Sequence, residues 1–134
     1  MRITGLYAAL STLLIIILAV RVVAYRRAHK IGLGDNGDAE MRMRIRAHGN
    51  AIEYLPFGLI LLLVLELNQT APLLLHVFGC VLLAARLAHA WGVSHHSGVT
   101  AGRAVGIVLT LGVLLAMAIL LLWQFVLINT FVPH

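Results

Sequence analysis

Charge is scarce in this sequence. Lys and Arg number ten and Asp and Glu five, so that charged residues make up 11% of the 134 positions. With 61% apolar residues and a mean hydropathy of +0.98, there is too little polar surface to cover a soluble globule of this length. A bilayer is the solvent such a composition fits. Cysteine occurs once, at Cys80 in the third apolar stretch, which excludes an intrachain disulfide; a thiol surrounded by hydrocarbon stays protonated and inert. Any thiol chemistry must therefore come from a ligand. Long polar stretches are also missing. The longest runs only from Arg26 to Arg44, leaving no room for a second, soluble domain, and no internal repeat is present. No basic stripe with interleaved aromatics accompanies the net charge of +5, so nucleic acid is not an expected partner. His48, His89, His95 and His96 have neither a fixed ligand spacing nor an acidic companion, and no metal site is expected. The glycines Gly92, Gly98, Gly102 and Gly106 follow no strand and so do not form a phosphate cradle, although Gly102 and Gly106 form a small-xxx-small pair that lets helices approach closely.

What is present is four long apolar stretches separated by polar or turn-rich breaks: about Ile3 to Tyr25, Ile45 to Asn68, Ala71 to Trp91 and Arg103 to Val132. A helix crosses a bilayer in about 20 residues, so residues 1–134 read as one domain, an all-α integral membrane bundle of four transmembrane helices. The start, MRITGLYAALSTLLIIILAV, has the basic lead and apolar core of a signal peptide. Its apolar run is long, however, no small-x-small cleavage pattern follows, and the next residues are arginine-rich. A first transmembrane helix is the better reading. Arg26, Arg27, Lys30, Arg42 and Arg44 crowd the connection between the first two spans, and Arg103 closes the connection between the last two. These connections are expected to face the cytoplasm and both termini the outside.

The stretch RIRAHGNAIEYLPFGLILLL, residues 44–63, sets charged and amide side chains directly against a greasy run. At about 100° per residue, Arg46, Asn50, Glu53 and Phe57 fall within an arc of roughly 60° on one helix face, flanked by Tyr54, while His48 lies off it. Arg86 and His89 are neighbours on the third helix. Up-and-down topology puts the end of that helix, the start of the second and the start of the fourth at one level. Arg26, Arg46, Asn50, Glu53, Tyr54, Arg86, His89 and Arg103 can thus converge in one layer. Charges at membrane depth are costly unless they pair, face a bundle interior or line a wet cavity.

Several guanidinium groups, one carboxylate, an amide and a phenol suit a zwitterionic peptide with two carboxylates and one ammonium. Glutathione is such a molecule, and a nearby arginine would draw its thiol toward thiolate. The alternative is that Arg46 and Glu53 neutralise each other and Arg86 caps carbonyls or snorkels.

The segment RAHGNAIEYLP, residues 46–56, resembles the signature of the membrane-associated proteins in eicosanoid and glutathione metabolism, the MAPEG family. The double arginine of RRAHK, the ARLAH ending the third helix and the arginine opening the fourth extend the resemblance over nearly the whole chain. The small bacterial, microsomal-glutathione-transferase-like members are the most similar. The resemblance implies a homotrimer in the bacterial inner membrane, with glutathione as co-substrate bound between subunits at the cytoplasmic side and no metal. By position, it implies glutathione contacts at Arg26, Arg46, His48, Asn50, Glu53, Tyr54, Arg86 and His89, and a thiolate-stabilising, catalytic role for Arg103. Where characterised transferases often carry two aromatic hydroxyls late in the third helix, this chain has His89 and Val93. The function so implied is a glutathione transferase or glutathione-dependent peroxidase acting on apolar electrophiles from the bilayer. A non-catalytic lipid-binding or interaction protein of the same fold is the alternative.

Overall fold

The computed structural model describes residues 3–95 and 100–131, leaving aside the side chains of residues 94, 95, 128, 129 and 131. It consists of four helices, α1 (Ile3–His29), α2 (Ala39–Leu67), α3 (Pro72–His95) and α4 (Ala101–Phe131). Each is long and apolar enough to cross a membrane, and the chain is an integral membrane helical bundle. α2 and α3 form the centre: α3 packs on the other three helices, whereas α1 and α4 do not touch among the described residues.

Three helix ends lie four or more residues outside the expected spans: α3 runs on past Trp91 to His95, and the ends of α1 and α2 have local chemical reasons. α1 continues past Tyr25 to His29, its last turn carrying Arg26, Arg27 and His29 where cations meet the negative end of the helix dipole. It stops at Lys30, whose left-handed backbone (φ 54°) lets the Ile31 N–H reach the Arg26 carbonyl at 3.0 Å. α2 starts six residues before Ile45, at Ala39, because Asp38 caps it: its carboxylate accepts from the Met41 N–H at 2.8 Å and from the Tyr25 hydroxyl at 3.1 Å. Hydropathy missed these turns because they are helical but polar. Between the two ends, the Arg44 guanidinium lies over the Tyr25 ring at 4.6 Å, and His29 stacks on the same ring at 3.9 Å.

α2 and α3 are joined by a tight turn, with Gln69 in a left-handed conformation (φ 58°) and Pro72 opening α3, where its missing N–H costs nothing. At this end Glu66 accepts from the backbone N–H of Ile3 at 2.5 Å and of Thr4 at 2.9 Å, fastening α1 to α2. The core runs down the shared axis through Leu14, Leu18, Leu55, Leu62, Leu82, Val113 and Met117. Leu13, Ile16, Val20, Leu111, Leu115 and Trp123 point outward, as a lipid-facing surface requires. Cys80 is exposed, and its sulfur lies 3.1 Å from the Tyr7 hydroxyl.

Candidate functional site

Three helices meet around a cavity of about 390 Å³ at the arginine-rich end of the bundle, lined by Arg46, Asn50 and Tyr54 of α2, His89 and Val93 of α3, and Arg103, Ala104 and Ile107 of α4. Behind two of its lining residues, Asn50 and Tyr54, lies Arg86, which is 1% exposed although it carries a full charge. Arg86 donates from Nη1 to Asn50 Oδ1 at 2.5 Å and from Nη2 to the Gly106 carbonyl at 3.0 Å, and its Cζ lies 5.2 Å from the centre of the Tyr54 ring. The buried cation therefore ties α2, α3 and α4 together. A charge in this position is tolerated only with such partners.

Close backbone packing brings the α4 residues into reach. A Cβ on Gly106 would stand 2.7 Å from His89 Cβ and 2.8 Å from the Ala85 carbonyl, and one on Gly92 would stand 2.7 Å from the Arg103 nitrogen. Glycine at both positions lets α3 and α4 come together. Thr100 then caps α4, its hydroxyl oxygen accepting from the Arg103 N–H at 3.3 Å. The His89 ring adds a contact to the Arg103 carbonyl, Nδ1 to O 3.4 Å.

The structure thus brings Arg46, Asn50, Tyr54, His89 and Arg103 to one cavity with Arg86 behind its wall. Arg26, His48 and Glu53 do not line it. Arg26 and His48 are half-buried, and Glu53 is exposed on the outer flank of α2. The buried face of α2 carries Ala47, Ala51, Leu55, Gly58 and Leu62, with Asn50 at its margin. The polar stripe straddles the boundary between that inner face and the outside, and Phe57, 67% exposed, marks its outer edge. Glu53 has fourteen residues of α2 on either side, so its carboxylate sits at mid-helix.

Arg46 and Glu53 do not neutralise each other. Among the described residues the ion pairs are Arg42 with Asp35 and Arg44 with Glu40, and no hydrogen bond engages Arg46 or Glu53. One buried nitrogen of Arg26, Nη1, also lacks a partner. Among the described residues, then, Arg46 at the cavity and Glu53 outside it meet no counter-charge, and Arg26 Nη1 and Arg86 Nε are buried donors without an acceptor.

Ala104 and Ile107 were missed by reading the sequence, because an apolar wall looks like any other part of a span; Val93 stood out only as the residue at a position where transferases often carry an aromatic hydroxyl. The cap Thr100 was legible in principle as a Thr three residues before Arg103. The side chains of His95 and His96 lie outside the described residues, and no group of three or more His, Cys, Asp or Glu gathers among the described ones.

The MAPEG family model matches residues 4–123. The inner membrane protein YecN of Escherichia coli strain K12 is 41% identical over 93 residues, which cover 69% of this chain and 71% of the relative. The protein of the same name from Escherichia coli O6:H1 (strain CFT073) matches to the same extent.

Proposed function

The chain belongs to the MAPEG family, and from that premise we propose that it binds glutathione in the cavity between α2, α3 and α4 and uses it as a transferase or glutathione-dependent peroxidase. The observation that carries this reading is the pair Arg46 and Glu53, opposite charges on one membrane helix that meet no counter-charge among the described residues. Arg46 lines the cavity of about 390 Å³, and Glu53 stands on the outer flank next to the cavity-lining Tyr54. A carboxylate left unmatched at mid-helix, as Glu53 is, calls for a partner from outside the chain. Glutathione offers carboxylates for guanidinium groups and an ammonium for Glu53.

The exposure of Glu53 favours a site completed by a neighbouring subunit. A carboxylate at mid-helix cannot rest against lipid tails, and a homotrimer of the family's kind would cover it and bring Arg26 and His48 to the ligand. Lys and Arg concentrate in the α1–α2 connection and the first turns of α2, which favours a cytoplasmic location for the site and an outward location for both termini.

In this reading Arg46 and Tyr54 hold the peptide and Arg86 keeps Asn50 in place. Arg103, whose backbone is fixed by the Thr100 cap and the close Gly92 contact, stands by the sulfur and favours thiolate over thiol. Glutathione supplies the nucleophilic thiol, and the acceptor reaches it from the bilayer. Val93, Ala104 and Ile107 form the apolar wall that excludes water from the thiolate.

The reading is tested by titrating glutathione into the detergent-solubilised protein and following thermal unfolding. Stabilisation by glutathione that is lost in Arg46→Ala and Glu53→Gln supports it. Stabilisation by lipid alone would mean a non-catalytic lipid-binding protein.

A further inference from the structure

Beside the larger cavity lies a second one of about 190 Å³, lined by Ala39, Arg42, Met43 and Arg46 of α2, Val93 of α3 and Arg103 of α4. Arg46, Val93 and Arg103 border both; Ala39, Arg42 and Met43 border only the smaller. Three guanidinium groups from two helices meet here. The acid that answers them is Asp35, whose carboxylate accepts from Arg42 Nε at 2.5 Å and from the Gly37 N–H at 3.0 Å. Asp35 is paired with Arg42, and Arg46 and Arg103 bring further positive charge to the same small space.

Depth narrows the choice of ligand. α2 has 29 residues, and about 20 suffice to cross the hydrocarbon. About nine residues, the stretch holding Arg42 and Arg46, are left over for the headgroup layer. Arg103 is the third residue of α4 and lies at the same level. Basic pockets between transmembrane helices at this depth suit anionic headgroups. A carboxylate pairs with one guanidinium fork, whereas the oxygens of a phosphate can serve several at once.

We infer that the smaller cavity is a phosphate site, holding on Arg42, Arg46 and Arg103 the phosphate of an anionic lipid headgroup or of a soluble phosphate ester. Asp35 is the internal anion with which that phosphate competes for Arg42. Arg46 faces both cavities and holds the peptide in the larger one, so a phosphate that draws its charge weakens its hold on glutathione, and the two ligands oppose each other. This coupling rests on the glutathione reading; the phosphate site itself does not.

The test measures thermal midpoints of the detergent-solubilised protein in sodium phosphate against sodium chloride of equal ionic strength, and in micelles containing phosphatidic acid against diacylglycerol. The expected result is stabilisation by a phosphate group in at least one arm. If inorganic phosphate alone stabilises, the source is soluble; if phosphatidic acid alone, it is the bilayer. Arg42→Gln should weaken the apparent phosphate affinity about tenfold, the loss of one charge-assisted contact, and Asp35→Asn should strengthen it. Glutathione calorimetry on Arg42→Gln should match the parent protein. Equal midpoints in both pairs of conditions, or an unchanged phosphate response in Arg42→Gln, would overturn the inference. So would loss of glutathione binding in Arg42→Gln, because the smaller cavity would then be part of the thiol site. A phosphate response without any glutathione binding would sink the proposed function and leave the phosphate site standing.

Discussion

The Arg86 guanidinium and the Asn50 amide, 36 residues apart in sequence, share a hydrogen bond of 2.5 Å inside the bundle. This contact joins α2 to α3 behind a wall of the cavity, so the same bond supports the fold and fixes a cavity-lining side chain.

Asn50→Ala should therefore destabilise the protein. It leaves a nitrogen of a buried cation without its acceptor, at a cost of about 3 kcal/mol. Thermal unfolding in detergent reads the effect. Asn50→Asp, which keeps the acceptor oxygen, should lose much less than the alanine variant.

Gly106 and Gly112 lie on the same helix and should respond oppositely to alanine. At Gly106 the new methyl would meet His89 and the backbone of α3 at under 3 Å, forcing α3 and α4 apart and costing about 1 to 3 kcal/mol. Nothing lies within 4 Å of a Cβ at Gly112, where alanine should stabilise the helix by about 0.5 to 1 kcal/mol. Paired unfolding curves decide it. Equal effects would mean that the close approach of α3 and α4 is not maintained.

Arg103→Ala separates rate from binding. If this guanidinium stands by the sulfur, its loss should cost about 2 to 4 kcal/mol in the rate of a glutathione-dependent reaction and change glutathione affinity far less. Steady-state kinetics with a small apolar electrophile reads the first, calorimetry the second. A variant with full activity would remove Arg103 from the mechanism.

The α1–α2 connection should loosen in acid. The Met41 N–H, followed by the Tyr25 hydroxyl, holds the Asp38 carboxyl below its usual range, and the Arg42 guanidinium, followed by the Gly37 N–H, does the same for Asp35. Each folded-state value is depressed, so the stabilisation is complete above the unfolded carboxylate value of about 4 and disappears as pH falls through the lower folded one. Protection of the Met41 amide against hydrogen exchange, corrected for the intrinsic rate, should drop over that window. In Asp38→Asn the cap persists but its charge does not, and the protection from the cap should no longer follow the titration of residue 38.

Hydropathy alone reveals the four spans, because a bilayer imposes one composition on every residue that faces it. The ends of α1 and α2 were not legible that way: their last and first turns are polar, and what makes them helical is a dipole-matched run of cations and the Asp38 cap. The convergence of Arg46, Asn50, Tyr54, His89 and Arg103 followed from spacing and up-and-down topology. The division of labour among them did not. Helical periodicity puts Asn50 and Glu53 on one stripe, yet the packing of α3 turns Asn50 inward to Arg86 and leaves Glu53 outside. Only the angular position of the neighbouring helices decides that, and a single sequence does not encode it in any local pattern.

The most direct measurement is calorimetric titration of glutathione into the detergent-solubilised protein, with ultraviolet absorbance followed in the same sample. The account predicts saturable heat and a thiolate band that appears on binding; heat and band should both weaken in Arg46→Ala, and the band alone should be lost in Arg103→Ala. The absence of any glutathione heat in protein that still unfolds cooperatively would contradict it.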